Sequence, residues 1–203
     1  MAFLRIVALG LVAAIAYGIL HDQVTARVCL EYFTVGHPRL IDSESPTILG
    51  LLWGVVATWW VGLPLGLLLA SAARLGKRPA LKATDLTRPL RTLLAIMYAC
   101  ALVSGIVGFC LAQQGLIGLS SAFAQRVSIT QHAHFLAAAF AHSASYGSGI
   151  IGGVILALNT FRRRGRLALA GGLTAEADEL RSPVSCCTLA CRRASPRKGR
   201  ART

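Results

Sequence analysis

Long apolar blocks separated by short polar connectors organise this chain. Four blocks, at about residues 4–20, 47–73, 89–111 and 135–161, are apolar along nearly their whole length rather than on one face. A bilayer core about 30 Å thick needs roughly 20 helical residues at a rise of about 1.5 Å each. The pattern therefore predicts an all-α membrane protein in which residues 1–166 form a four-helix transmembrane bundle.

The overall composition supports this class. The chain is 55% hydrophobic and only 14% charged, and its mean hydropathy is +0.60. These values are too apolar for a soluble domain of 203 residues. We therefore expect the lipid bilayer itself to be the main partner of the chain.

The first block also fits a secretory signal peptide, because Arg5 precedes the apolar run and Ala14-Ile15-Ala16 matches an A-x-A cleavage site. The apolar run continues past this site to Leu20. For that reason we favour a membrane anchor that is retained.

Small residues recur at every fourth position of the second block. They are Gly50, Gly54, Thr58, Gly62 and Gly66. Helices in lipid gain little by burying apolar side chains against each other, so close backbone contact along small residues holds them together. We predict that this stripe packs the second helix against a neighbour, and that Pro64 kinks it.

The charges of the connectors predict the orientation of the bundle. The first connector, residues 21–46, has a net charge of −2, the second, residues 74–91, has +5, and residues 162–203 have +8. An excess of Lys and Arg marks the cytoplasmic side of a membrane protein. Both termini and the second connector are therefore predicted to lie inside, and the other two connectors outside.

Residues 167–203 change character, because Arg, Ser, Ala and Gly replace the apolar runs. We predict a disordered basic cytoplasmic tail that is attracted to anionic lipid. Binding of nucleic acid is disfavoured, since no aromatic or fold feature accompanies the charge. The cysteines at 186, 187 and 191 lack CxxC spacing and a fourth metal ligand.

The first connector carries two structural interpretations. Val24, Ala26 and Val28 alternate with polar residues, which is the periodicity of a strand. A lone strand beside a membrane has no pairing partner, so an irregular or short interfacial helical segment is an equal alternative.

All five histidines fall on the predicted outer side of the bundle, where carboxylates and one tyrosine accompany them. The candidate polar or ion site comprises His21, Asp22, Glu31, His37, His132, His134, His142 and Tyr146. Imidazoles with carboxylates suit a Zn²⁺ or Cu²⁺ ion, or a proton relay. The sequence requires no cofactor, and we favour the simpler interpretation that these groups only form interfacial and internal hydrogen bonds.

One member of this set lies within an apolar block. His142 is expected roughly 10 Å below the outer end of its helix, where a polar side chain needs a partner. We therefore predict that it turns toward the junction of His21 and Asp22.

Four motifs carry a resemblance to known proteins: YGILHDQVTAR at 17–27, EYFTVGHP at 31–38, WG at 53–54 and ATWWVG at 57–62. The chain resembles a family of small four-helix bacterial integral membrane proteins to which no function is assigned. The similarity covers about residues 5–165. It implies a multi-pass protein of the bacterial inner (cytoplasmic) membrane and supplies no catalytic residues.

Three classes of function remain open. The small-residue stripes suit an accessory protein that packs against another membrane protein or a second copy of itself. Convergent histidines suit a carrier, channel or sensor for a metal ion or proton. An enzyme is disfavoured, because no Ser-His-Asp order, His-Glu-x-x-His motif or phosphate-binding glycine loop is present. We expect the accessory role, with binding or transport of a metal or proton as the alternative.

Overall fold

The computed structural model describes residues 1–181, with side chains up to residue 173, and this part of the chain is helical without strands. The helices are α1 (Ala2–Val28), α2 (Glu31–Thr34), α3 (Pro46–Val56), α4 (Trp59–Arg74), α5 (Ala83–Gln113), α6 (Ser121–Ala124) and α7 (His132–Arg181). Four segments are long and apolar enough to cross a membrane, namely Ala2–Val28, Pro46–Arg74, Ala83–Gln113 and Ile129–Leu173. The predicted all-α class with four helices of membrane-spanning length is confirmed.

The outer surface of the bundle is apolar. Leu20, Ile106 and Ile151 are each more than 60% exposed, and many other large apolar side chains also face outward. A soluble monomer rarely exposes apolar surface this continuously. Such an apolar surface is stable in contact with lipid.

The first helix is longer than predicted. It ends at Val28 rather than near Leu20, so the strand interpretation of the first connector is wrong over these residues. The buried positions of its second half explain why, because Tyr17, His21 and Thr25 are spaced by four. That spacing places them on one helical face, whereas a strand would need a period of two.

The small-residue stripe lies against α1. A Cβ added to Gly54 would come within 2.5 Å of the Ile19 Cα, and one added to Gly62 within 2.6 Å of the Ala14 Cβ. Such distances leave no room for a side chain, so the backbones are in direct contact. α1 therefore forms one close unit with α3 and α4.

The second span is interrupted near its middle. α3 ends at Val56 and α4 begins at Trp59, with a turn at Ala57 and Thr58 between them. This turn was not predicted. α4 itself continues through Pro64, and the kink expected at that residue stays a prediction. At this turn the Thr58 backbone N–H binds the Val55 carbonyl. The Thr58 hydroxyl donates to the Gly54 carbonyl that this N–H would bind in a regular helix.

α5 and α7 pack along each other and form the second unit of the bundle, and α4 joins the two units by packing on α7. Arg164 of α7 binds the connector between α4 and α5, and its side chain is completely buried. Its guanidinium donates to four backbone carbonyls, those of Ala72, Leu75, Arg78 and Pro79.

The last helix continues to Arg181 instead of ending near Phe161. Residues 167–181 of the predicted tail therefore lie in this helix, and disorder of the tail stays a prediction. Leu, Ala and Glu dominate residues 167–181 and are strong helix formers. The remainder of the predicted tail, residues 182–203, lies outside the described residues.

Candidate functional site

Three polar side chains meet between the two units of the bundle. α1 supplies His21 and Asp22, one turn or less from its buried Tyr17 and Thr25, and α7 supplies His142. Their exposures are 5%, 4% and 7%, so all three are buried within apolar surroundings. Groups of this kind are costly inside a membrane unless they have partners. We refer to His21, Asp22 and His142 as the triad.

The His142 imidazole is held at both ring nitrogens. Nδ1 lies 2.8 Å from the Ala138 carbonyl oxygen, which can only accept, so Nδ1 carries a hydrogen and donates it. Nε2 lies 3.1 Å from Asp22 Oδ1. The predicted approach of His142 to Asp22 is thus present in the structure.

This arrangement places one proton between His142 and Asp22. Either the ring is an imidazolium that donates to the carboxylate, or Asp22 is protonated and donates to a neutral ring. Both alternatives leave the pair without net charge, which lowers the cost of burying it.

The third member of the triad has an unused ligand atom. His21 Nε2 is buried and has no hydrogen-bond partner. The His21 ring lies edge-on to the His142 ring, with 4.5 Å between their centroids, and stacks on Tyr17 at 5.8 Å. A buried imidazole nitrogen without a partner loses its hydration and gains nothing in return.

The triad has the donor set of a metal site. One ligand atom from each residue can be chosen so that all three lie within 4.8 Å of one another. Ligands at about 2.0–2.1 Å from a tetrahedral zinc ion are roughly 3.3 Å apart, close to the 3.1 Å between Asp22 and His142. Separations in the triad reach up to 4.8 Å, so coordination requires its three side chains to close around the ion.

A cavity of about 90 Å³ adjoins the triad. All three triad residues line it, and so do the hydroxyl-bearing Tyr17 and Ser145. Tyr17 Oη and Ser145 Oγ lie 2.8 Å apart and form a buried hydrogen bond. Below this polar end the walls are apolar and come from α1, α4, α5 and α7.

Tyr146 also lines the cavity, one turn deeper than His142. Its hydroxyl donates to the Ala57 carbonyl at 3.0 Å. That carbonyl belongs to the turn that interrupts the second span, so Tyr146 satisfies a backbone group that the broken helix leaves free.

The structure does not bring the other candidate ligands into the triad. His37 Nδ1 lies 2.8 Å from the Tyr32 carbonyl, and the His37 ring packs on Trp53 with 4.6 Å between centroids. Burial lowers the pKa of His37, and it raises the pKa of Tyr32. These rings form an aromatic cover above His142 on the loop side, where the Tyr32 ring lies 4.6 Å from it.

Glu31 accepts a hydrogen bond from the Cys29 thiol at 3.5 Å, and burial raises the pKa of that thiol to about 11. His132 Nε2 lies 3.0 Å from the Val127 carbonyl. The His134 ring packs against Phe109 with 5.1 Å between centroids. Glu31 and His132 thus contact the loops at this end of the spans, whereas His134 packs on α5 and has a buried Nδ1 without a hydrogen-bond partner.

The candidate set predicted from the sequence lacks three residues of the site, namely Tyr17, Thr58 and Ser145. A signal for Tyr17 exists, since it precedes His21 by four residues and so shares its helical face. Thr58 was assigned to packing only, yet it also lines the cavity beside Gly18.

No protein-family model, curated protein or solved structure matches this chain. The family resemblance of its motifs therefore stays a prediction.

Proposed function

We propose that the chain is a multi-pass membrane protein that binds a divalent transition-metal ion, with Zn²⁺ and Cu²⁺ as the best-suited ions, through His21, Asp22 and His142. The observation that carries the proposal is the buried and unpartnered His21 Nε2 beside a His142–Asp22 pair. Coordination gives this nitrogen a partner, and the ion takes the place of the proton shared by His142 and Asp22.

The contacts around the triad also suit metal binding. A metal-bound histidine almost always donates its other ring N–H to a carbonyl or carboxylate, which fixes the tautomer. The bond from His142 Nδ1 to Ala138 does this, and it leaves Nε2 as the ligand atom.

Metal analysis of the purified protein in detergent tests the proposal. We expect wild type, after incubation with Zn²⁺ or Cu²⁺ and gel filtration, to retain about one ion per chain that withstands weak chelators. The His21→Gln and His142→Gln variants should lose this ion. His132→Gln is the matched control, because His132 bonds only to a loop carbonyl.

Two results contradict the proposal. The first is that wild type retains no more metal than the His21→Gln variant. The second is that His132→Gln loses as much metal as His142→Gln, which would place the binding site outside the triad.

A proton site is the second candidate, and the observation that favours it is the single proton shared by His142 and Asp22. In metal-free protein, we expect wild type to show an infrared carboxyl or imidazolium band that is absent from Asp22→Asn. Metal that binds tightly and abolishes this band would favour the first candidate.

The location and orientation of the protein belong to the same proposal. The four apolar spans support membrane insertion, and the basic second connector supports placing both termini on the cytoplasmic side of a bacterial inner membrane. The triad would then lie near the outer face. Packing against another membrane protein or a second copy stays a prediction.

A further inference from the structure

We infer that a metal ion at the triad keeps one coordination position open toward the cavity, and that this position takes water, hydroxide or a small linear anion. The inference rests on the proposed function. It adds the class of ligand that the ion would exchange, and so distinguishes a reactive centre from a closed structural one.

The number of protein ligands is the first step. Structural zinc sites use four protein ligands, whereas catalytic sites use three and leave the fourth position for water or substrate. Among the described residues, no further histidine, cysteine or acidic side chain joins His21, Asp22 and His142. A tetrahedral ion here therefore has a fourth position that the triad does not fill.

The cavity supplies the space for that fourth ligand. His21, Asp22 and His142 all line this cavity. One water molecule needs roughly 10–15 Å³ of cavity volume, and an apolar cavity of about 150 Å³ accommodates benzene. At about 90 Å³, the cavity holds several waters or a small anion and excludes an aromatic ring.

Charge favours an anion over a neutral guest. A divalent ion, one carboxylate and two neutral imidazoles carry a net charge of +1. An uncompensated charge is costly in a membrane interior, and a bound hydroxide or small anion removes it.

The cavity wall offers a hydrogen-bond donor to such a ligand. Tyr17 and Ser145 have one hydroxyl hydrogen each, and their mutual bond uses one of the two. The second remains for a guest. Both hydroxyl-bearing residues line the same cavity as the triad.

A cobalt-substituted protein tests the inference, since Co²⁺ reports its coordination through visible absorption bands. We expect Co²⁺ to give such bands with wild type but not with His21→Gln. Titration with azide should shift the bands, whereas benzoate, which carries an aromatic ring, should leave them unchanged.

Two glycines of α7 offer a matched pair of variants. Gly149 is buried on the cavity wall, and a Cβ there would meet only the flexible end of Met97. Gly147 is exposed, and a Cβ there would meet nothing within 4 Å. Leucine on a helix points toward the preceding turn, so Gly149→Leu would fill the cavity near Ser145 without replacing a ligand.

We expect Gly149→Leu to keep the cobalt bands and to bind azide roughly tenfold or more weakly, and Gly147→Leu to behave like wild type. Wild type without cobalt bands would overturn the proposed function, and the inference with it. Cobalt bands that azide does not shift, or that benzoate shifts equally, would overturn the inference alone. The azide and benzoate comparison on wild type decides this even when Gly149→Leu fails to fold.

Discussion

Replacement of Arg164 by alanine should destabilise the protein more than removal of any other arginine near the end of α7. The Arg164 side chain is 0% exposed. Its four hydrogen bonds are each 2.8 Å long and end on carbonyls in and after the last turn of α4. A helix C-terminus leaves such carbonyls without intrahelical partners, and here one side chain from another span serves them.

The magnitude follows from the number of bonds and from what replaces them. A hydrogen bond from a charged donor contributes about 1.5–3 kcal/mol, but water that enters the vacated site would rehydrate part of the four carbonyls. We therefore expect a loss of about 3–5 kcal/mol, similar to removal of one partner from a buried charged pair. For a chain of this size, that lowers Tm by roughly 10 °C.

Thermal unfolding in detergent, followed by circular dichroism, measures the effect. Arg166→Ala is the matched control, because it removes the same charge from an exposed position two residues away. Arg164→Lys should recover only part of the stability, since an ammonium group has three donors and lacks the planar fork of a guanidinium. Equal Tm values for Arg164→Ala and Arg166→Ala would refute this account of the connector.

Three further predictions concern packing, reactivity and topology. Gly54→Leu should lower stability by about 1–3 kcal/mol or more, because an added Cβ meets the α1 backbone, whereas Leu51→Ile should be nearly neutral. An unchanged Tm for Gly54→Leu would show that the stripe does not fix this contact. Cys29, which is 2% exposed and has a pKa of about 11, should resist alkylation at pH 8 until the protein unfolds; rapid modification of the native protein would contradict its burial. A reporter that is active only outside the cytoplasm should work when fused near Arg126 and fail near Lys82, and the opposite result would reverse the orientation.

The apolar spans could be predicted because membrane insertion depends on length and hydrophobicity, which are local properties of a sequence. The end of α1 was harder to place. His21 and Asp22 are polar, which favours a connector when each residue is judged alone, but they face α7 and so lie inside the bundle. The cost of a polar group in a membrane depends on its partners, and the partner is 120 residues away.

Other features depended on single side chains. Arg164 stands in a run of arginines that looks uniform in sequence, and only the fold singles out the one that turns inward. A kink was expected at Pro64, but the second span is interrupted at Ala57 and Thr58, where the Thr58 hydroxyl binds the Gly54 carbonyl. A proline in a helix is recognised as irregular from the sequence alone, whereas a threonine of this kind matters only where the neighbouring helices accommodate the turn.

The bond from Tyr146 to the Ala57 carbonyl has a consequence for biogenesis. Synthesis proceeds from the N-terminus, so the second span enters the membrane before the last span exists. Thr58 can satisfy the Gly54 carbonyl within its own span from the outset, but the Ala57 carbonyl must wait for a tyrosine that is translated 89 residues later. If the turn forms before then, the second span carries an unsatisfied backbone group in hydrocarbon, which costs several kcal/mol. Arrival of the last span removes that cost, so assembly of the bundle and completion of its broken helix occur as one event.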